Sequence, residues 1–276
     1  MPWEIKNIAD ETYFSYGNIF NGFESPKDRH EELVVSNSFM KSVFKTNLHH
    51  YLTVGCDEID DDLQEIFDTG SAFHCYVLEH DEFYDRYHVS NVKDATKNTT
   101  RIGETEFIFI EASHRAIEEK YPEVLDGENV ELTIIGEIDG AKVKCKIDKL
   151  NIKKSGTRYI SVEILDLKGV YFDHFKLKKS PSGERWELRK KLSNNDYDLQ
   201  AYFYTKLVEE WLQSINQHCE VSFSLLVASK ETYQVQKYRV GPEMMETGRI
   251  KYESVWPDIR DFVLFGKDRL VDEEVL

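Results

Sequence analysis

The spacing of hydrophobic positions changes along this chain and divides it into a helical front and a strand-rich middle. Residues 1–30 are rich in Tyr, Phe and acids but show little periodicity, which predicts an irregular arm. Ser36-Asn37-Ser38 then caps an amphipathic stretch from Phe39 to Tyr51. A second helix is predicted from about Asp61 through Leu78, with apolar positions Leu63, Ile66, Phe67, Phe73, Val77 and Leu78; Gly70 interrupts it and permits two pieces. Residues 84–112 are mixed, with a loop expected around Asn98. Ser113 to Glu119 reads as a short helix ended by Pro122.

From residue 130 the period drops to two. Val130 to Ile135 predicts a strand, Asp139-Gly140 a hairpin turn, and Ala141 to Leu150 a second strand with Val143, Cys145, Ile147 and Leu150 facing inward. Ser155-Gly156 marks another turn. Tyr159 to Leu167 is so apolar that it reads as a central strand. A basic, polar connection over 173–195 leads to a long helix, about Asp196 to Ile215. Two strands, Cys219–Ser229 and Tyr233–Val240, and a last helix over about Met244–Phe265 complete the chain. Helices, an antiparallel meander, a crossover helix and further strands predict an α/β protein with a mixed central sheet flanked by helices. The economical division is an arm over residues 1–35 and one domain over 36–276.

Composition narrows the setting. The 276 residues are 41% hydrophobic and 31% charged, as in a soluble globular protein, and no stretch approaches the apolar length of a membrane span. No basic start precedes an apolar run at the amino terminus, so a cytoplasmic place without a secretory signal is expected. Cys56, Cys75, Cys145 and Cys219 are widely spaced and include no CxxC pair, which argues for free thiols and against a zinc site or an iron–sulfur cluster. The net charge of −16 argues against a surface coated with cations, yet residues 142–191 carry fifteen basic and six acidic side chains. Such a local zone is what a phosphate track needs, although lysines guarding a sheet edge make the same pattern. Lys146, Lys176, Lys178, Lys179 and Arg185 are its candidate DNA contacts.

Candidate chemistry sits inside that zone. Asp148 ends one strand and Asp166-Leu167-Lys168 lies in the next, with the turn at Ser155-Gly156 folding the two side by side. Strand side chains alternate, so Asp166 and Lys168 point the same way. Two carboxylates can anchor Mg²⁺, which lowers the pKa of a bound water and neutralises phosphate charge. Lys168 either orients that water or acts on it as a base, its pKa drawn down by burial and up by the carboxylates. An Asp-x-Lys is commonly an exposed ion pair of little consequence, but here it interrupts an apolar strand, where unpaired charge is costly. Gln200 and Tyr204, four apart on the crossover helix, share a face near this group. His74, on an apolar helix, is by itself an ordinary core histidine.

Together these pieces resemble the PD-(D/E)XK nuclease superfamily and, within it, the RecE-type (exonuclease VIII) branch related to RecB-like nucleases. The branch's G-x-A-x-H-x-x-x-L-E helix is matched by Gly70 to Glu79, its acidic strand residue by Glu131, and its I/P-D strand end by Ile147-Asp148. Its D-L-K triplet is matched by Asp166-Leu167-Lys168 and its Q-x-x-x-Y helix by Gln200 and Tyr204. Order and spacing agree over about residues 36–265. The resemblance implies a nuclease domain and makes His74 and Glu131 metal ligands beside Asp148 and Asp166, with Mg²⁺ or Mn²⁺ bound. It implies 5′-to-3′ digestion of one strand of linear duplex DNA, leaving 3′ single-stranded tails for recombination. It further implies a homo-oligomeric ring around duplex DNA, a single-strand annealing (RecT-like) partner, and a stand-alone domain of the kind phages often carry. Gly169-Val170 departs from the family, which usually continues with Thr. Two other readings compete with the exonuclease: a structure-specific or defence endonuclease on the same fold, and a non-catalytic DNA-binding subunit.

Overall fold

The structure, a computed structural model, describes residues 4–7, 33–54, 61–91, 99–171 and 192–266. Its frame is the meander that the period-two pattern predicts: β4 (Val130–Ile138), β5 (Ala141–Ser155) and β6 (Arg158–Val170), each antiparallel to the next. Asp139 and Gly140 both take positive φ, 50° and 85°, as a two-residue hairpin with the right strand twist requires. β7 (Glu220–Ser229) returns parallel to β6 after a crossover helix, and β8 (Val235–Arg239) closes that edge antiparallel. At the other edge β1 (Glu4–Asn7) pairs antiparallel with β4, giving the order β1-β4-β5-β6-β7-β8. Residues 4–7 therefore extend the sheet, although the sequence there reads as part of an irregular arm. A four-residue strand carries too few periods to show itself, and its partner strand makes it.

Helices cover both faces. On one lie α1 (Asn37–Lys45), α5 (Tyr197–Ser214) and α6 (Pro242–Phe265), packed over Ile134, Val143, Cys145, Ile147, Val162 and Ile164. α2 (Leu48–Val54) adds Leu48, Tyr51 and Leu52 to that core. On the other face lie α3 (Asp61–Leu78) and α4 (Glu104–Lys120), with Leu165, Leu167, Leu226 and Ala228 beneath them. β6 thus feeds both cores, which is why its sequence is nearly continuous in apolar residues. β2 (Tyr87–Val89) and β3 (Thr100–Ile102) form a separate parallel pair.

Two helices differ from their sequence reading. α3 is continuous through Gly70. α4 begins at Glu104, nine residues before the predicted start, because Glu106-Phe107-Ile108-Phe109-Ile110 looks strand-like when read alone. Packing overrides that propensity: Phe109, Ile110, Ser113 and Ile117 are buried at helical spacing. Among the described residues no helix is long and apolar enough to cross a membrane.

Candidate metal centre

The site lies where the sheet forks. The β4–β5 ladder runs from Val130↔Lys149 to Leu132↔Ile147 and passes over Glu131 and Asp148. The β5–β6 ladder stops at Lys149↔Leu165, one step short of Asp148 and Asp166. Three acids therefore sit where the strands cease to pair, with side chains freed from the ladder. Glu131 is held at φ 50°, a left-handed conformation that costs a non-glycine residue about 1–3 kcal/mol.

Asp148, Glu131 and His74 converge at this fork. Nδ1 of His74 lies 3.3 Å from Oδ1 of Asp148 and 3.9 Å from Oε1 of Glu131. One ligand atom from each residue falls within 4.8 Å of the others. The opposite ring nitrogen, Nε2, lies 3.0 Å from the Leu167 carbonyl oxygen. A carbonyl only accepts, so Nε2 carries hydrogen, and in the neutral ring the Nδ1 lone pair faces the two carboxylates. That is how a ligating histidine is held, with its second nitrogen tied to a backbone carbonyl. The Leu167 amide in turn donates to Oδ2 of Asp148 at 2.6 Å.

Burial sets the electrostatics of the cluster. Burial, then Asp148, pushes the Glu131 carboxyl above its usual range. Burial also acts upward on Asp148, but His74, Lys168 and the Leu167 amide outweigh it and hold this carboxyl low. Burial draws the His74 ring down, yet Asp148 more than compensates and raises its pKa. Oε1 of Glu131 is buried without a hydrogen bond. One imidazole nitrogen and two carboxylate oxygens, one of them unsatisfied, fit a divalent cation.

Asp166 and Lys168 adjoin the three from the α5 side. Oδ1 of Asp166 accepts from the Gln200 amide at 2.7 Å, and Nζ of Lys168 lies 2.7 Å from Oδ2. Asp166 is 2% exposed, and burial is the first cause of its raised pKa. Burial also lowers the Lys168 pKa, but Asp166 and Asp148 prevail and lift it above the ordinary lysine value. The carboxylates thus outweigh burial and favour the charged ammonium. Asp166 lies outside the three-residue cluster of His74, Glu131 and Asp148. Tyr204 is buried, with the Lys146 backbone amide against its hydroxyl and Asp166 and Asp148 near enough to act on it. Lys146 is exposed and pairs with Glu131 at the cleft mouth. Lys176, Lys178, Lys179 and Arg185 lie outside the described residues.

Three further participants carry no signal that the sequence reading found. Leu167 acts through its backbone. Tyr197, the first residue of α5, places its ring 5.1 Å from Nζ of Lys168 and 4.9 Å from Nζ of Lys41 on α1. Burial, then Lys168, brings the Lys41 pKa down to about 8. Lys41 meets Lys168 and Tyr197 across 127 and 156 positions of chain, beyond any local pattern. Over the cluster opens a cleft of about 550 Å³ lined by His74, Glu131, Asp148, Lys168, Tyr197 and residues of α3.

A family profile described as "PDDEXK-like domain of unknown function (DUF3799)" matches residues 36–263. A search of curated proteins gives no significant match. Among solved structures, the crystal structure of a "Putative exonuclease" from Eubacterium rectale is similar at a TM-score of 0.52 and 16% identity, covering 91% of this chain and 86% of that one. At this identity the likeness bears on the fold.

Proposed function

This chain belongs to the PDDEXK-like domain family, and so to the PD-(D/E)XK nuclease superfamily, and on that premise we propose that it is a metal-dependent DNA exonuclease. The observation that carries the reading is the convergence of His74, Glu131 and Asp148 within 4.8 Å beside Lys168. His74, Glu131 and Asp148 would hold Mg²⁺ or Mn²⁺. Bound there, the cation supplies Lewis-acid stabilisation of the phosphate and an acidified water.

The protein's own groups do the rest. Leu167 orients His74 and Asp148 through its two backbone atoms. Lys168, kept charged by Asp166, offers a fixed positive group to the phosphate or to the attacking water, a role of stabilisation and orientation more than of proton abstraction. Gln200 holds Asp166 in its rotamer. Asp166 completes the ligand set in our reading, adjoining the three from the neighbouring strand.

The finer reading follows the RecE-like pattern: 5′-to-3′ digestion of one strand of linear duplex, leaving 3′ tails for recombination. The Eubacterium rectale neighbour's name agrees with exonuclease as the class. A ring of identical chains with the basic 142–191 zone facing its channel, handing product to a single-strand annealing protein, is the assembly this implies. The test is digestion of linear against covalently closed circular duplex in Mg²⁺. Loss of the linear form alone is expected, and cutting of the circle would convert the reading to an endonuclease. Inactivity on both, with Asp166→Ala indistinguishable from the parent, would end the enzyme reading.

A further inference from the structure

Two features of the cleft have no part in the metal cluster. One is on α3. Phe67 precedes His74 by seven residues, two helical turns, so the two share a face. Ile66 and Phe67 line the cleft and are nevertheless 57% and 50% exposed. Single exposed apolar side chains are ordinary; here two adjacent ones stand at the rim of a polar cleft. Phe67 makes no ring contact among the described residues, whereas Phe73 on the same helix packs against Phe109 at 5.3 Å. Between Phe67 and His74 stands Gly70, where an added Cβ would meet nothing within 4 Å. A mid-helix glycine costs helix stability, and no neighbour demands this one. Its effect is an open trough along α3 from Phe67 to His74.

The other feature is Lys230, at the end of β7. It lines the same cleft, and its ammonium sits 5.7 Å from the Phe109 ring and 5.1 Å from the Tyr171 ring. No carboxylate among the described residues is within ion-pair distance of it. Gly169 eases this placement: a Cβ there would stand 3.0 Å from Cζ of Phe109 and 3.3 Å from Cε of Lys230, and one of the two would have to shift slightly. The Gly that follows the Asp-Leu-Lys triplet therefore leaves room for the lysine to lie across the strand into the cleft.

A ligand suited to both features carries anionic groups and a flat apolar face. Nucleotides have both, but in duplex DNA the faces are closed inside the stack. Building on the nuclease reading, we infer that the cleft takes the strand to be cut in unpaired form, with a nucleobase stacked on Ile66 and Phe67 and a backbone phosphate on Lys230. Aromatic stacking of this kind tolerates any base, and the lysine reads only the backbone.

The test is equilibrium binding of the full chain to short single strands, with Ca²⁺ in place of Mg²⁺ so that binding is measured without cutting. One abasic position is moved along the strand. The parent should lose about tenfold in affinity at one position, the scale of one base–aromatic stack. Phe67→Ala should lose as much on the intact strand and nothing further when that base is absent. Lys230→Ala should lower the slope of log affinity against log salt by about one, and Lys230→Arg should restore it. Both substitutions are at accessible positions, and Phe67→Ala favours the helix. If Phe67→Ala weakens intact and abasic strands equally, or neither, the stacking platform is wrong. An unchanged salt slope in Lys230→Ala removes the phosphate contact. A parent that cleaves DNA but shows no sensitive abasic position overturns this inference alone, whereas one that neither binds nor cleaves overturns the nuclease reading with it.

Discussion

His74 and Leu167 are joined across 93 positions of sequence: the imidazole Nε2–H donates to the Leu167 carbonyl at 3.0 Å. The same leucine's amide donates to Asp148 at 2.6 Å. The middle residue of the Asp-Leu-Lys triplet is therefore more than a spacer between two charged neighbours. Its side chain fills the core under α3 and α4, and its backbone aims two members of the metal cluster. Because both contacts are main-chain, substitution of Leu167 would test packing and not aim. The informative variant is at the other end. His74→Ala should weaken Mn²⁺ binding by roughly 10–100-fold or more, the range for losing one group that holds or orients a metal. Titration calorimetry with Mn²⁺ checks it, and full affinity together with full activity would refute the ligand assignment.

Asp148 and Asp166 should separate in their effects. Asp148 shares the tight cluster with His74 and Glu131, whereas Asp166 is bonded to Gln200 and Lys168. Asp148→Asn is expected to abolish both Mn²⁺ binding and cleavage. Asp166→Asn should abolish cleavage while weakening Mn²⁺ binding less, because it removes the outlying member of the proposed ligand set and releases Lys168 from its charge partner, yet leaves the close three-residue cluster intact. Parallel calorimetry and single-turnover cleavage distinguish the two, and equal loss of metal in both variants would place Asp166 among the ligands on the same footing.

What could be read from sequence depended on periodicity. The alternation of β4, β5 and β6 places Glu131, Asp148 and Asp166 at corresponding levels of neighbouring strands, and the structure has them where the ladders part. Gln200 could be placed because it lies one turn inside a helix with a clear apolar stripe. Lys41 and Tyr197 could not. Each reads as an ordinary residue at a helix surface or start, and only the packing of α1 beside α5 brings them to Lys168. Leu167 escaped for a different reason, since a backbone amide and carbonyl have no letter in the sequence. Aromatic and β-branched residues crowd Glu106 to Ile110 and mask the start of α4, a case of tertiary burial outweighing local preference.

Lys41 offers a pH-dependent signature. Burial and the neighbouring Lys168 bring its pKa down to about 8, with Asp166 and Asp196 pulling the other way. A folded pKa below the unfolded value means that protonation of Lys41 works against folding below about pH 8. The penalty disappears as pH rises from there towards the usual lysine value near 10.4. Reductive ¹³C-methylation followed by NMR titration should show one dimethyl-lysine resonance moving near pH 8, well before the exposed lysines. Lys41→Met should delete that resonance and no other. A titration grouped with the remaining lysines would show that the charge is solvated.

The crossover helix should prove as sensitive as the ligands, through Lys251. Its ammonium donates to the Ser193 carbonyl at 3.0 Å and to Asp196 and Asp198 at 2.8 Å each. Asp198 is completely buried, and Asp196 sits at φ 55°, so this turn is strained and charged. α6 comes so close to it that a Cβ on Gly248 would stand 2.1 Å from the Asp198 carbonyl oxygen. Lys251 is half-buried, and without it Asp198 keeps the Ser193 hydroxyl and the Leu199 amide while Asp196 keeps Lys45, so the loss is expected at about 1–3 kcal/mol. Lys251→Ala should therefore unfold at markedly lower denaturant concentration. Because the same turn carries Tyr197 and leads to Gln200, cleavage should also fall under conditions where the variant is still folded. Lys251→Arg should recover part of both. Chemical denaturation, with cleavage assayed far below the midpoint, separates the effects; a destabilised variant with normal turnover would show that the clamp supports the fold and not the site.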